Sequence, residues 1–217
     1  MFIRTFVGSV VALALFTALG ATNAVADIVA FTVPAGEPYP TPPYQPNRPV
    51  NLGLEFTANT NFSVDALGFY NQSDLTGSEV VGLYDQSGSL LTSATVLLTD
   101  SKTDGYFFHS IAPVALTAGA TYTVVAETGN NPWSFGPFPI APVPTAADIT
   151  FVKDDYNYTG SLAFPNASGG SGPAYYGPNF EIAASTPEPG LYGVLAIGLS
   201  GLVLVSGRRR GSAADRN

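Results

Sequence analysis

Apolar and polar residues alternate through the middle of this chain with the period of a β-strand. In VNLGLEFTA, residues 50–58, alternate positions carry Leu52, Leu54 and Phe56, and alternate residues of an extended chain share one face. Between the two ends of the chain, no segment carries the apolar stripe of an amphipathic helix. The pattern therefore predicts a domain of strands that each bury at least one face.

The next segment, FSVDALGFY at residues 62–70, has the same period. We therefore expect a second strand with at least one buried face. Regular alternation predicts one face with Phe62, Val64, Ala66 and Gly68, and an opposite face with Leu67 and Phe69.

Turn signals separate the later apolar segments. Ser87 and Gly88 join EVVGLYD (79–85) to SLLTSATVLL (89–98). Because glycine accepts the positive φ of a hairpin turn, these two segments are predicted to pair. Another turn is expected at TAG (117–119), and further strands at 27–33, 105–111, 120–127, 148–152, 161–164 and 179–184. Short strands with turns roughly every ten residues predict an all-β fold, an antiparallel β-sandwich or jelly-roll-like domain.

Two proline-rich segments interrupt the strands. Residues 34–49 exclude a helix or a central strand, because proline lacks the backbone N–H that both need. We interpret them as a stiff surface loop, with a polyproline ligand as the alternative. The segment GNNPWSFGPFPIAPVP, residues 129–144, is predicted to form a long loop at one end of the sandwich, where binding loops usually lie.

The N-terminal residues have the composition of a secretory signal peptide. Arg4 precedes an apolar run at 6–19, and Ala24 and Ala26 place small residues at the −3 and −1 positions of a cleavage site. A buried helix or a true transmembrane anchor is the alternative, but the run is short for a span. We expect signal peptidase to remove residues 1–26 and to leave Asp27 as the first residue.

The C-terminal residues contain a second apolar run, at 191–207, that carries no charge. Its length is at the lower limit for a helix that crosses a hydrocarbon core of about 30 Å. Three arginines follow, so the positive-inside rule leaves residues 211–217 in the cytoplasm. The predicted β-domain is thus flanked by an N-terminal signal helix and a C-terminal transmembrane helix. The predicted order is 1–26 signal peptide, 27–49 short strand and proline-rich loop, 50–185 β-sandwich, 186–210 sorting signal and span, and 211–217 tail.

The segment between the two ends is strongly acidic. Residues 27–186 contain three basic side chains, Arg48, Lys102 and Lys153, against fourteen acidic ones, for a net charge of −11. Without a cluster of basic residues, nucleic acid and anionic membrane surfaces are poor candidate partners. Divalent cations and neutral polymers are compatible with this charge. The chain has no cysteine, so the core alone must stabilise the domain.

Motifs for catalysis or metal binding are absent from the sequence. His109 is the one histidine, predicted on the face opposite Phe108 and so exposed or at an edge. The acidic pairs Asp100 with Asp104 and Asp154 with Asp155 lie where turns are expected, and Asp often caps turns. DQSG (85–88) and TDSKTDG (99–105) favour turn chemistry over a calcium loop, with calcium as the open alternative. We therefore predict no enzyme, no cofactor and no metal ligands.

Exposed aromatic residues are the remaining signal of binding. Trp133 lies among prolines and glycines, and Tyr156, Tyr158 and Tyr175 lie near the end of the domain. Flat rings stack on sugar faces, so these four are candidate carbohydrate-binding residues. The alternative is that they pack over the open end of the sandwich.

The tail TPEPGLYGVLAIGLSGLVLVSGRRR resembles the PEP-CTERM sorting signal of Gram-negative bacteria, also catalogued as the C-terminal domain of ice-binding-type proteins. Its three parts are a Pro-Glu-Pro motif, the apolar span and a basic cluster. The matching motif residues are Pro187, Glu188, Pro189, Arg208, Arg209 and Arg210. The resemblance implies that an exosortase, a transpeptidase-like membrane protease, processes the tail while the protein is held in the inner membrane. It also implies a host that makes exopolysaccharide and a biofilm matrix.

Residues 50–127 resemble an extracellular β-sandwich domain of unknown function found in bacterial surface proteins. GLYDQSGSLL and LTAGATY carry this resemblance, which implies a fold more than an activity. We expect an exported protein of the cell surface or exopolysaccharide matrix with a structural or adhesive role. A carbohydrate-binding module is the alternative, and a glycoside hydrolase using two carboxylates is the third.

Overall fold

The structure, a computed structural model, describes residues 26–33, 49–70, 77–129, 131, 134–135, 144–170 and 175–184. The predicted signal helix, the proline-rich loop at 34–48 and the predicted transmembrane span lie outside these ranges. Residues Asp27–Ala184 form one compact unit. No helix among the described residues is long and apolar enough to cross a membrane.

The regular elements of the described residues are β-strands, so the all-β prediction is confirmed. In chain order they are β1 (Ile28–Val29), β2 (Asn51–Ala58), β3 (Phe62–Tyr70), β4 (Glu79–Asp85), β5 (Leu90–Val96), β6 (Ser101–Thr103), β7 (Tyr106–Leu116), β8 (Thr121–Glu127), β9 (Ser134–Phe135), β10 (Ile149–Asn157), β11 (Ala167–Gly170), β12 (Tyr175–Tyr176) and β13 (Pro178–Ile182).

The strands form two antiparallel sheets and one short ribbon. The first sheet has the order β1-β13-β3-β7-β6, and the second has the order β11-β10-β2-β8-β4-β5. Strands β9 and β12 form the ribbon. The predicted hairpin of β4 and β5 is confirmed, and Gly88 in its turn has a φ of 79°. Two antiparallel sheets that share a core fit the predicted β-sandwich.

The main core lies between the two sheets and is rich in aromatic rings. Phe56 of the second sheet and Phe180 of the first are fully buried, and their ring centroids are 4.9 Å apart. Phe31 meets both rings edge-on, at 6.0 Å and 5.9 Å. Large rings remove much apolar area from water. This core stabilises a chain that has no cysteine.

A β-bulge in β3 overturns part of the predicted face assignment. The pairing of β3 with β13 shifts between Val64 and Ala66, so Asp65 is an extra residue. Beyond it the alternation changes phase. Val64 and Leu67 both lie in the main core, whereas Ala66 packs in a smaller cluster with Val29 and Phe108. The prediction that Val64 and Ala66 share a face is wrong, because a bulge adds one residue to the period of two.

The predicted strand at residues 161–164 is also wrong. These residues adopt no regular secondary structure, and β10 runs on to Asn157 before the chain turns. The connection between β10 and β11, residues 158–166, forms a strap.

Candidate binding site

The strap crosses the outer face of the second sheet, where two glycines leave room for it. Gly53 lies between the inward-facing Leu52 and Leu54, so its own position faces outward. A Cβ at Gly53 would lie 2.8 Å from Cγ of Pro165, and one at Gly82 would lie 2.8 Å from Cδ2 of Leu162. The strap can therefore lie directly on the backbone of β2 and β4.

A buried asparagine fastens the strap to β2. The side-chain Nδ2 of Asn51 donates hydrogen bonds to Oγ1 of Thr159 (2.9 Å) and to the carbonyl oxygen of Ser161 (3.0 Å). Its Oδ1 accepts a hydrogen bond from the backbone N–H of Ala163 at 3.0 Å. Asn51 is fully buried. The strap has no partner strand, so its backbone N–H and C=O groups cannot pair in a β-ladder. The Asn51 side chain pairs with two of these groups instead.

The far end of the strap is held by polar and aromatic contacts. Nδ2 of Asn157 donates to the carbonyl oxygen of Phe164 at 2.9 Å. The Phe164 ring packs edge-on against Tyr84, with 5.6 Å between centroids. It also covers Gly88, where a Cβ would lie 3.2 Å from the ring. These contacts fix the orientation of the ring.

An open polar pocket of about 340 Å³ lies beside this end of the strap. Strands β2 and β10 form its floor, and the strap, β11 and the turn after β4 form its walls. The lining side chains that matter for recognition are Glu55, Gln86, Lys153, Asp155, Phe164 and Asn166. The volume lies at the lower end of the range for small-molecule pockets.

A lysine bound by two carboxylates forms the floor of the pocket. Nζ of Lys153 lies 2.7 Å from Oδ2 and 2.8 Å from Oδ1 of Asp155, and 3.3 Å from Oε2 of Glu55. Partial burial lowers the pKa of Lys153, but the hydrogen bonds from its ammonium to Asp155 and Glu55 outweigh this and raise that pKa above its usual value. The ammonium is therefore charged at neutral pH and lies between the two carboxylates.

The sequence profile of a family described as "Domain of unknown function (DUF4082)" matches residues 38–176, more than half of the chain. The protein belongs to the DUF4082 family. The matched range contains all the pocket residues named above. No curated protein and no solved structure matches this chain.

Two of the four aromatic candidates in this DUF4082 domain form a pair at one end of the second sheet. The rings of Tyr156 and Tyr158 are 5.5 Å apart and nearly perpendicular. Tyr156 packs against Val50 and Leu52, whereas Tyr158 is 49% exposed. Tyr156 is thus partly a packing residue, and Tyr158 presents an accessible ring.

Of the other two aromatic candidates, the structure describes the backbone of Tyr175 alone. Tyr175 pairs with Phe135 in the ribbon of β9 and β12, and Phe135 follows Trp133 by two residues. Trp133 and the side chain of Tyr175 lie outside what the structure describes. The sorting motif residues, 187–189 and 208–210, also lie outside the described ranges.

The histidine of the DUF4082 domain lies at an edge of the sandwich. Its Nδ1 is 3.1 Å from Oδ2 of Asp100, and the side chain is 42% exposed. The same Oδ2 accepts a hydrogen bond from the backbone N–H of Leu97 at 2.7 Å. Asp100 therefore closes the turn between β5 and β6, and His109 packs beside that turn.

The loops weighed as calcium sites form tight turns. Oδ1 of Asp85 accepts hydrogen bonds from the hydroxyl of Ser87 (2.6 Å) and from the N–H groups of Ser87 (2.8 Å) and Ser89 (3.0 Å). The bond from the Ser87 hydroxyl is the main cause that lowers the pKa of Asp85. Asp104 and Gly105 both have positive φ, as in a two-residue hairpin turn. Within the described ranges, no cluster of three or more acidic or histidine side chains could hold a metal.

Three carboxyl groups outside the pocket are buried or partly buried: Glu79 and Asp154 are buried, and Glu181 is partly buried. Burial raises the pKa of Glu79 to about 8, Glu127 adds to the effect, and a hydrogen bond from Asn131 opposes it. Burial, with the nearby charges of Asp27 and Asp65, raises the pKa of Glu181 to about 7. Burial likewise raises the pKa of Asp154 to about 6. These groups favour the protonated state at mildly acidic pH.

Sequence reasoning missed the pocket. Alternation along β10 could have placed Lys153 and Asp155 on one face, since they are two residues apart. Their partner Glu55 lies far away in sequence and becomes a neighbour only through the register Lys153↔Glu55 between β10 and β2.

Proposed function

We propose that this protein is an exported, non-catalytic component of the cell surface or exopolysaccharide matrix of a Gram-negative bacterium. Signal peptidase would remove residues 1–26, and an exosortase would recognise Pro187–Pro189 while the apolar span holds the chain in the inner membrane. The observation that carries this proposal is the tail, in which Pro-Glu-Pro, an uncharged span and three arginines follow one another in that order.

The limits of the compact unit support this proposal. The unit Asp27–Ala184 begins at the residue that the predicted cleavage would leave first and ends just before the Pro-Glu-Pro motif. Oδ1 of Asp27 accepts a hydrogen bond from the backbone N–H of Ala184 at 3.0 Å, and β1 pairs with β13. The core residues that the structure describes lie inside the unit, so removal of both flanking segments leaves them in place.

The pocket supports a role without catalysis. Glycosidases place two carboxyl groups on either side of the scissile bond. In this pocket the ammonium of Lys153 stands between Glu55 and Asp155, in the position that such a bond would need. A structural or adhesive role therefore fits the geometry better than hydrolysis.

The proposal can be tested in the native host by changing the tail alone. Proline disfavours helix at the residue before it, so the two prolines keep the motif extended. Pro187→Ala combined with Pro189→Ala removes this constraint and leaves the apolar span unchanged. We expect this variant to stay in the membrane fraction, whereas the unchanged protein reaches the cell surface or the medium. Ser185→Ala combined with Thr186→Ala, directly before the motif, is the matched control and should be released normally. Normal release of the double proline variant would contradict the proposal.

A further inference from the structure

We propose that the pocket beside the strap binds a neutral, hydroxyl-rich saccharide. This inference deepens the proposed function and rests on it for the source of the ligand, since an exported matrix protein meets polysaccharide.

Polar side-chain groups line the mouth of the pocket. Gln86 and Asn166 line it with side-chain amides that make no hydrogen bond within the part of the chain that the structure describes. Oε1 of Glu55 also has no partner there, because Lys153 approaches Oε2. A carboxylate oxygen accepts hydrogen bonds, and an amide both donates and accepts them. Neighbouring hydroxyl groups of a sugar both donate and accept hydrogen bonds, so they can pair with these amides and this carboxylate oxygen.

The floor of the pocket is held by an ion-pair network that needs no ligand. Asp155 is 5% exposed and holds the ammonium of Lys153 with both oxygens. This contact fixes Glu55 as well, since Oε2 of Glu55 lies 3.3 Å from the same Nζ. Preorganised polar groups lose little conformational entropy on binding. Oε1 of Glu55 is therefore presented from a fixed position.

An apolar wall adjoins these polar groups. The Phe164 ring is held against Tyr84 and over Gly88, and Pro165 follows it along the strap. The C–H face of a pyranose is apolar and packs on such a surface, while its hydroxyls point to the side. One apolar wall beside amides and a carboxylate suits a sugar better than it suits a small ion.

The charges of the pocket select a neutral ligand. The lysine that lines the pocket, Lys153, is paired with Glu55 and Asp155, so the pocket lining offers no unpaired basic side chain to an acidic sugar. The position between the carboxylates is occupied by the ammonium, which leaves that place closed to a metal ion. An anionic polysaccharide would also be repelled by the net charge of −11 that residues 27–186 carry.

The test uses the full chain, purified in a detergent without a sugar headgroup, because such headgroups would compete for the pocket. Short neutral oligomers of glucose, galactose and mannose are the probes, and oligogalacturonate is the anionic comparison. Binding is measured by isothermal titration calorimetry. We expect at least one neutral oligomer to bind and oligogalacturonate not to bind.

Two variants assign the binding to the pocket. Gln86→Ala and Asn166→Ala remove one exposed amide each without touching the core, and each should weaken binding about fivefold, the effect of one hydrogen bond. Ser93→Ala, an exposed change on β5 of the same sheet, is the matched control and should bind normally. Tyr158→Ala should also bind normally, because that ring lies outside the pocket lining.

Three results would overturn the inference. These are no binding of any neutral oligomer at millimolar concentration, equal binding by the Gln86→Ala and Asn166→Ala double variant, or a preference for oligogalacturonate. A fourth result, loss of binding in Tyr158→Ala alone, would place the site at the tyrosine pair and refute the pocket. None of these results affects the sorting of the tail in the host, so failure of this inference and failure of the proposed function are seen in separate experiments.

Discussion

Asn51→Ala should destabilise the protein more than any exposed asparagine substitution. The change removes three hydrogen bonds, to Thr159, Ser161 and the backbone of Ala163. Each typical hydrogen bond contributes about 1 kcal/mol, and an orphaned buried group costs about 1–3 kcal/mol. Ser161 keeps a bond from Oγ1 of Thr159 at 2.7 Å, so only part of this cost applies. We expect a loss of about 2–4 kcal/mol in the free energy of unfolding.

The assay is urea unfolding followed by circular dichroism, with thermal unfolding in parallel. For a domain of this size, about 2–4 kcal/mol corresponds to a fall in Tm of roughly 5–15 °C. Asn59→Ala is the matched control. Asn59 also makes two side-chain hydrogen bonds, to the carbonyl of Ala147 and with Thr150, but it is exposed. It should cost under about 1 kcal/mol, because water replaces the lost partners.

Equal effects of the two substitutions would refute this reasoning. Such a result would mean that Asn51 does not hold the strap, and that the strap stays in place by the packing of Leu162, Phe164 and Pro165 alone.

Gly53→Ala should cost about 1–3 kcal/mol by urea unfolding, because its Cβ would lie 2.8 Å from Pro165, whereas Gly160→Ala, with nothing within 4 Å, should be nearly neutral. The raised pKa values of Glu79 (about 8) and Glu181 (about 7) mean that their contribution to stability is complete below about pH 4.5 and is lost as the pH rises through 7 to 8. Glu79→Gln should therefore flatten the fall in Tm between pH 5 and 9, and an unchanged slope would refute the assignment. Calcium should not shift the Tm relative to EDTA, because Oδ1 of Asp85 is already bonded to Ser87 and Ser89; an upward shift would revive the calcium alternative.

Local patterns in the sequence were enough to predict most of the longer strands and several turns. They were wrong at Asp154 and Asp155, where a turn was expected and the structure has the continuous strand β10. Alternation identified β2 with Leu52, Leu54 and Phe56 facing inward, and a glycine at a position of positive φ identified the turn at Gly88. These features depend on residues that are close in sequence. The bulge at Asp65 was missed because nothing in FSVDALGFY distinguishes an inserted residue from a regular one.

The strap and the pocket depend on contacts between distant residues. Phe164 and Leu162 alternate like strand residues, but they pack on the outer face of the second sheet because Gly88 and Gly82 leave space there. No local pattern carries that information. The ion pair of Lys153 with Glu55 likewise requires the register of β10 on β2. The aromatic prediction around Trp133 remains a prediction, while the described residues point to Phe164 and its polar neighbours.

The proposed export and sorting are tested most directly by the intact mass of the protein isolated from its native host. The proposal predicts a chain that begins at Asp27 and ends between residues 186 and 189, outside the inner membrane. A chain that retains residues 190–217 and remains in the inner membrane would contradict it.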